Sequence, residues 1–193
     1  MTQVSQSRPS VWNVANGVTA LRFALVPLFC WLLFAGPHDP GMRFAAFGVF
    51  GLAALSDKFD GELARRRNLI TDFGKVADPI ADKALIGAAL LGLSLVGDLA
   101  WWITIVILVR ELGITALRFW VIRYGVIAAS PGGKAKTLTQ TVAIGLYLLP
   151  LPDPVQLVAY VVMLVAVALT VATGLDYVVR AIRLRRRGRV TGQ

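Results

Sequence analysis

From Thr19 to Ala181 the chain is a succession of apolar runs, most of them near the length that crosses a bilayer and all separated by turn residues. The breaks fall at Gly36-Pro37, Gly97-Asp98, Gly132-Gly133 and Pro150 to Pro154. A span needs about 20 residues to cross the hydrocarbon, and six such helices fit the pattern. The chain is therefore expected to be all-α, a polytopic membrane protein with six transmembrane helices and a short interfacial lead-in from Val11. The expected spans are Thr19 to Phe34, Arg43 to Arg67, Asp78 to Val96, Trp101 to Arg123, Lys136 to Leu149 and Val155 to Ala181.

With 193 residues the chain suits one domain, 1–193, with 1–12 a flexible N-terminus and 183–193 a basic cytoplasmic tail. It is 56% hydrophobic and yet carries a formal net charge of +9. Such a chain has little polar surface for nucleic acid, so the basic excess points to anionic lipid head groups and anionic substrates. Most lysines and arginines flank the breaks after the second and fourth spans or lie in Arg183–Arg189, while the opposite breaks hold His38, Asp39, Arg43, Asp98 and Asp153. The positive-inside rule then places both termini in the cytoplasm of a multi-pass protein of the inner or plasma membrane. The basic tail reads as a topology anchor at the anionic leaflet. Cys30 stands alone, so no intrachain disulfide is possible, and it reads as a small packing residue. His38, in a Gly-Pro-His-Asp-Pro turn, is expected to be solvated. No small-residue cleavage site follows the first apolar run, so no removable signal peptide is expected.

Carboxylates stand where they are costly. Asp57 and Asp60 are spaced i, i+3 at the end of the second run, and Asp78 and Asp82 are spaced i, i+4 at the start of the third. Each pair lies on one face of its own helix. If a short cytoplasmic loop from Asn68 to Phe73 joins the two helices, the four carboxylates converge near the inner membrane face. Their mutual repulsion calls for divalent cations, and Mg2+ suits carboxylates that share a site with phosphate oxygens. Paired metals clamp phosphates and orient in-line phosphoryl transfer. Gly61 and Gly74 leave room for a close ligand, Ala64 continues the open face, and Arg65 can bind phosphate or pair with a carboxylate. Small residues also serve tight helix packing in membranes, but packing does not account for four aspartates. A divalent-cation transporter is the rival outside enzymes; against it, no acidic residue lies deep in the first, fifth or sixth run to continue a path.

Asp57 to Asp82 matches, at every fixed position, the signature D-x2-D-G-x2-A-R-x8-G-x3-D-x3-D, and here the chain resembles the CDP-alcohol phosphatidyltransferases. The resemblance implies six transmembrane helices, a homodimer, two divalent cations (Mg2+, with Mn2+ possible) and a cytosol-facing site open to the bilayer. It implies that Asp57, Asp60, Asp78 and Asp82 bind metal, with Asp82 also the general base. The CDP moiety would contact Asp57, Asp60, Gly61, Ala64, Arg65, Thr71, Gly74 and Asp78.

Three further stretches resemble the bacterial phosphatidylglycerophosphate synthases of that family: Asn16 to Arg22 with its Asn-x-x-Thr-x-x-Arg, Arg110-Glu111 to Arg118, and Gly133 to Gln140. That likeness implies CDP-diacylglycerol and glycerol 3-phosphate as substrates. Arg110 and Arg118 are eight residues apart on the fourth run, and Lys134 and Lys136 are expected to enter the fifth helix from the loop before it. Such cations suit the acceptor's phosphate; the plainer alternatives are that Arg110 pairs with Glu111 and that the lysines are topology signals. Lys58 and Glu62 stand where members of the family often carry apolar or aromatic residues, and are either an i, i+4 ion pair or part of the substrate groove. The expected reaction moves the phosphatidyl group to the acceptor hydroxyl with release of CMP. Cardiolipin synthase and phosphatidylinositol-phosphate synthase are the alternatives within the family.

Overall fold

The computed structural model describes residues 14–67, 72–121 and 131–190, and within these the side chains at 14–16, 18–19, 57–67, 72–79, 82, 131, 153 and 186–190 are not described. The described residues form six helices and no strand: α1 (Val14–Ala35), α2 (Pro40–Arg67), α3 (Asp72–Leu95), α4 (Trp101–Val121), α5 (Pro131–Leu148) and α6 (Asp153–Val190). They group into two compact units, Met1–Gly92 and Leu93–Gln193.

In the first unit α1 packs against α2, with the Phe29 and Phe50 rings 5.9 Å apart between centroids. The turn between them is set by local chemistry. Asp39 caps α2 by accepting the Met42 amide at 2.7 Å, and Pro40 opens the helix where its missing N–H costs nothing. Gly36 is required there, because a Cβ would sit 2.7 Å from Cγ of Met42. Leu25, Phe29, Leu32 and Leu33 of α1 are buried, as are Ala46, Phe50 and Ala53 of α2 and Leu85, Ile86, Ala89 and Leu90 of α3. Gly92 brings α3 against Leu33 of α1, whose Cδ2 lies 2.6 Å from where a Cβ would be. Arg22, from the Asn-x-x-Thr-x-x-Arg stretch, is 1% exposed. His38 is exposed, as expected.

In the second unit α6 packs against both α4 and α5. Gly97 turns the chain out of α3 with φ of 89°, while the amides of Asp98 and Leu99 bond back to the Leu93 carbonyl at 3.0 and 3.1 Å. The buried hydroxyls of Ser94 and Thr104 lie 2.7 Å apart and tie the end of α3 to α4. Ile103 and Ile107 of α4, Ala143, Ile144 and Leu148 of α5, and Met163 and Ala166 of α6 form the core.

Large apolar side chains also face outward, among them Trp31, Phe44, Trp101, Ile105, Leu157 and Val161. Among the described residues one helix, Pro154–Arg185, is long and apolar enough to cross a membrane, and Ala20–Ala35, Pro40–Ser56 and Lys83–Leu95 are shorter apolar helices.

Several boundaries differ from the sequence expectation, the start of α2 at Pro40 rather than Arg43 among them. α3 begins at Asp72 rather than near Asp78, because the Asp78-Pro79 pair, which reads as a helix start, is carried inside the helix. α5 begins at Pro131 rather than Lys136, so Lys134 as well as Lys136 lies in its first turns. α6 runs on to Val190, because arginines favour helix and suit its C-terminal end. The lead-in before Thr19 is continuous with α1 from Val14; residues 1–13 lie outside the described residues.

Candidate active site

The aspartates continue stripes that the fold buries. On α2 the positions Ala46, Phe50, Ala53, Asp57, Asp60 and Ala64 repeat at alternating steps of four and three, and Ala46, Phe50 and Ala53 are all buried. On α3 the positions Asp78, Asp82, Leu85 and Ala89 do the same, with Leu85 and Ala89 buried. In each helix the register that carries the core of the first unit becomes, further along, a register of carboxylates. Gly61 and Arg65 are also on α2, and Gly74 on α3. Thr71 and most of the expected Asn68–Phe73 loop lie outside the described residues, as do the side chains of Asp57, Lys58, Asp60, Glu62, Arg65, Asp78 and Asp82. Among the described residues no group of three or more His, Cys, Asp or Glu is placed to hold a metal. The donor set of the two registers is itself suited to one, because hard carboxylate oxygens are the ligands divalent cations take.

The second unit holds the cations. Arg110, near the middle of α4, donates from Nη1 to Oε1 of Glu111 at 2.9 Å and from Nη2 to Oγ1 of Thr173 on α6 at 2.9 Å. Lys136 of α5, buried, donates from Nζ to the same Oε1 of Glu111. One carboxylate thus joins two cations from two helices, and α6 holds the far side of the guanidinium. Backbone bonds steady the partners: Thr115 Oγ1 donates to the Glu111 carbonyl at 2.8 Å, and Thr173 Oγ1 to the Leu169 carbonyl at 2.6 Å. Gly174 is buried against the arginine stem, where a Cβ would lie 3.1 Å from Cγ and 3.3 Å from Nε of Arg110.

Of the four expected acceptor residues, the structure brings together Arg110 and Lys136, and the pairing of Arg110 with Glu111 weighed from the sequence is present. Arg118 is exposed and leans on Tyr177 of α6, with Nε 3.4 Å from the hydroxyl and Cζ 6.0 Å from the ring centroid. Lys134 is exposed and takes no part in the Glu111 network. Further along α6, Arg185 stacks 4.4 Å over the Trp120 ring and Arg180 pairs with Asp176 at 2.9 Å. Sequence reasoning missed Thr173, Gly174 and Tyr177, which lie in an apolar run with no pattern to single them out.

Comparison with known proteins gives a consistent likeness. The sequence model of the CDP-alcohol phosphatidyltransferase family matches residues 12–172. The chain is 54% identical over 177 residues to a probable phosphatidylglycerophosphate synthase of Mycobacterium tuberculosis H37Rv, covering 91% of this chain and 85% of the relative. It is 37% identical over 183 residues to the CDP-diacylglycerol–glycerol-3-phosphate 3-phosphatidyltransferase of Bacillus subtilis 168, covering 86% of this chain and 94% of the relative. The Escherichia coli K12 protein of the same name is 38% identical over 175 residues, 86% of this chain and 93% of its own.

Proposed function

The chain belongs to the CDP-alcohol phosphatidyltransferase family, and from that premise we propose that it transfers the phosphatidyl group of CDP-diacylglycerol to sn-glycerol 3-phosphate, giving phosphatidylglycerophosphate and CMP. The observation that carries this reading is the extent of the likeness. Relatives named for this activity match 86–91% of the chain, taking in both the aspartate registers and the Arg110–Glu111–Lys136 network. It is an enzyme of phospholipid biosynthesis.

Members of the family depend on divalent cations; here Asp57, Asp60, Asp78 and Asp82 would hold two, Mg2+ or Mn2+. When bound, these ions would neutralise charge on the pyrophosphate of the CDP group and on the departing CMP. The chain's own residues do the rest. Asp57, Asp60, Gly61, Ala64, Arg65, Thr71, Gly74 and Asp78 bind the CDP moiety, the glycines by leaving the backbone open to it. Asp82 takes the proton from the acceptor hydroxyl as it attacks phosphorus. Arg110 and Lys136 hold the acceptor phosphate, with Arg118 and Lys134 as exposed cations that draw it in. Positioning and fixed charge supply most of the rate.

The single domain spans six membrane crossings, with both termini and the active site on the cytoplasmic side, among membrane lipids and as a homodimer. Support comes from the outward apolar side chains, the long apolar helix Pro154–Arg185 and the placing of arginines along its end. Thr173 lies about 30 Å along α6 from Asp153 at 1.5 Å per residue, about one hydrocarbon thickness, which supports a position for the Arg110 network near the inner margin of the bilayer.

The test is CMP release by purified protein in detergent with Mg2+ and CDP-diacylglycerol, comparing glycerol 3-phosphate, phosphatidylglycerol and inositol phosphate. Release with glycerol 3-phosphate alone is expected. Release only with one of the others would replace the acceptor and keep the transferase, and metal flux without CMP release would point to a transporter.

A further inference from the structure

We infer that Thr173 and Gly174 of α6 are positioning residues of the acceptor-phosphate site, acting through Arg110; this rests on the acceptor reading above. An arginine side chain has several rotatable bonds, and a fork that recognises phosphate in two-point fashion must be held in one plane. Arg110 is held from both sides. Nη1 bonds Glu111 of its own helix, and Nη2 bonds Thr173 across the helix pair, each at 2.9 Å. The Thr173 hydroxyl has one proton, and it is committed to the Leu169 carbonyl at 2.6 Å, so its oxygen faces the guanidinium as an acceptor.

Gly174 supplies the path. The stem of Arg110 crosses it so closely that a methyl there would sit 3.1 Å from Cγ and 3.3 Å from Nε. A Cβ at this position requires the arginine stem to give by a few tenths of an ångström, and the fork it carries moves with it. Beyond the bonds to Glu111 and Thr173, Arg110 has no hydrogen-bond partner among the described residues, and its Nε is buried without one. The arginine therefore keeps donors in a fixed plane for an anion. The chemical class of the ligand is a phosphate monoester, and the new element is that α6 sets the angle at which it is met.

The experiment uses the full chain in detergent with Mg2+ and CDP-diacylglycerol, varying glycerol 3-phosphate. Thr173→Val keeps the shape and removes the acceptor oxygen. It is expected to raise KM for glycerol 3-phosphate about five- to tenfold while kcat stays within about twofold, the loss of one charge-assisted hydrogen bond to a binding group. KM for CDP-diacylglycerol should not move, Thr173→Ser should restore the wild-type value, and Gly174→Ala should shift KM in the same direction as Thr173→Val. An unmoved acceptor KM in Thr173→Val and Gly174→Ala overturns the inference. So does a parallel rise in both KM values together with a lower melting temperature, which marks a structural tie only. Wild-type protein without CMP release on glycerol 3-phosphate overturns the acceptor reading itself; wild-type release with unmoved variants overturns the inference alone.

Discussion

Lys136 of α5 and Arg110 of α4 donate to one oxygen, Oε1 of Glu111, so a single carboxylate fixes the distance between two cations that the chain separates by 26 positions. Two positive charges this close repel unless a negative one lies between them. The trio keeps a net positive charge, which is what a phosphate site requires.

Removing that carboxylate should therefore cost stability before it costs chemistry. Glu111→Gln removes the carboxylate that the two largely buried cations share, and loss of one partner of a buried ion pair costs on the order of 3 kcal/mol. A clear fall in the melting temperature in detergent is expected. An unchanged midpoint would mean that the ion pairs carry no stability.

Asp82→Asn should remove the base and keep the shape. The expected result is a fall in kcat of about 10²- to 10⁴-fold with CDP binding retained, measured by CMP release and by equilibrium binding of a CDP ligand. Wild-type turnover in this variant would exclude Asp82 as the base.

Chelation gives a third outcome. If the four aspartates hold the metals as proposed, treatment with EDTA should abolish CMP release, and added Mg2+ or Mn2+ should restore it. Asp57→Ala should resist rescue at metal concentrations that restore the wild type. Full activity in EDTA would remove the metal from the reaction.

Ser94 and Thr104 offer a control far from the chemistry. Their buried hydroxyls share one hydrogen bond, so Ser94→Ala should cost about 0.6–1 kcal/mol. The double change Ser94→Ala with Thr104→Val should cost less than the two singles added, since the one shared bond is lost in each. Strict additivity would show that the two groups do not interact.

The number and order of helices were legible because apolar runs and Gly/Pro breaks are local signals. The ends were less so. Charged residues that read as loop or tail, Lys134 and Arg183 among them, are good helix formers and carry α5 and α6 further. The aspartate registers were legible from spacing alone, since i, i+3 and i, i+4 fix a helix face whatever the packing. What the spacing could not convey is that these registers extend the buried stripes of Ala53 and Leu85. Thr173 was invisible for a different reason: its bond to Arg110 joins positions 63 apart, and only the packing of α6 on α4 brings them together.

α6 is 38 residues long, about 57 Å at 1.5 Å per residue, close to twice the hydrocarbon thickness. A continuous helix of that length cannot be submerged whole, and its last turns carry Arg180, Arg183 and Arg185 in rigid continuity with the apolar part. Sliding the helix outward would draw each arginine toward hydrocarbon at about 2.5–3.5 kcal/mol apiece near the bilayer centre. On the topology proposed above, the arginine collar would act as a depth stop, and through the bond between Thr173 and Arg110 it would set the depth at which the guanidinium is held.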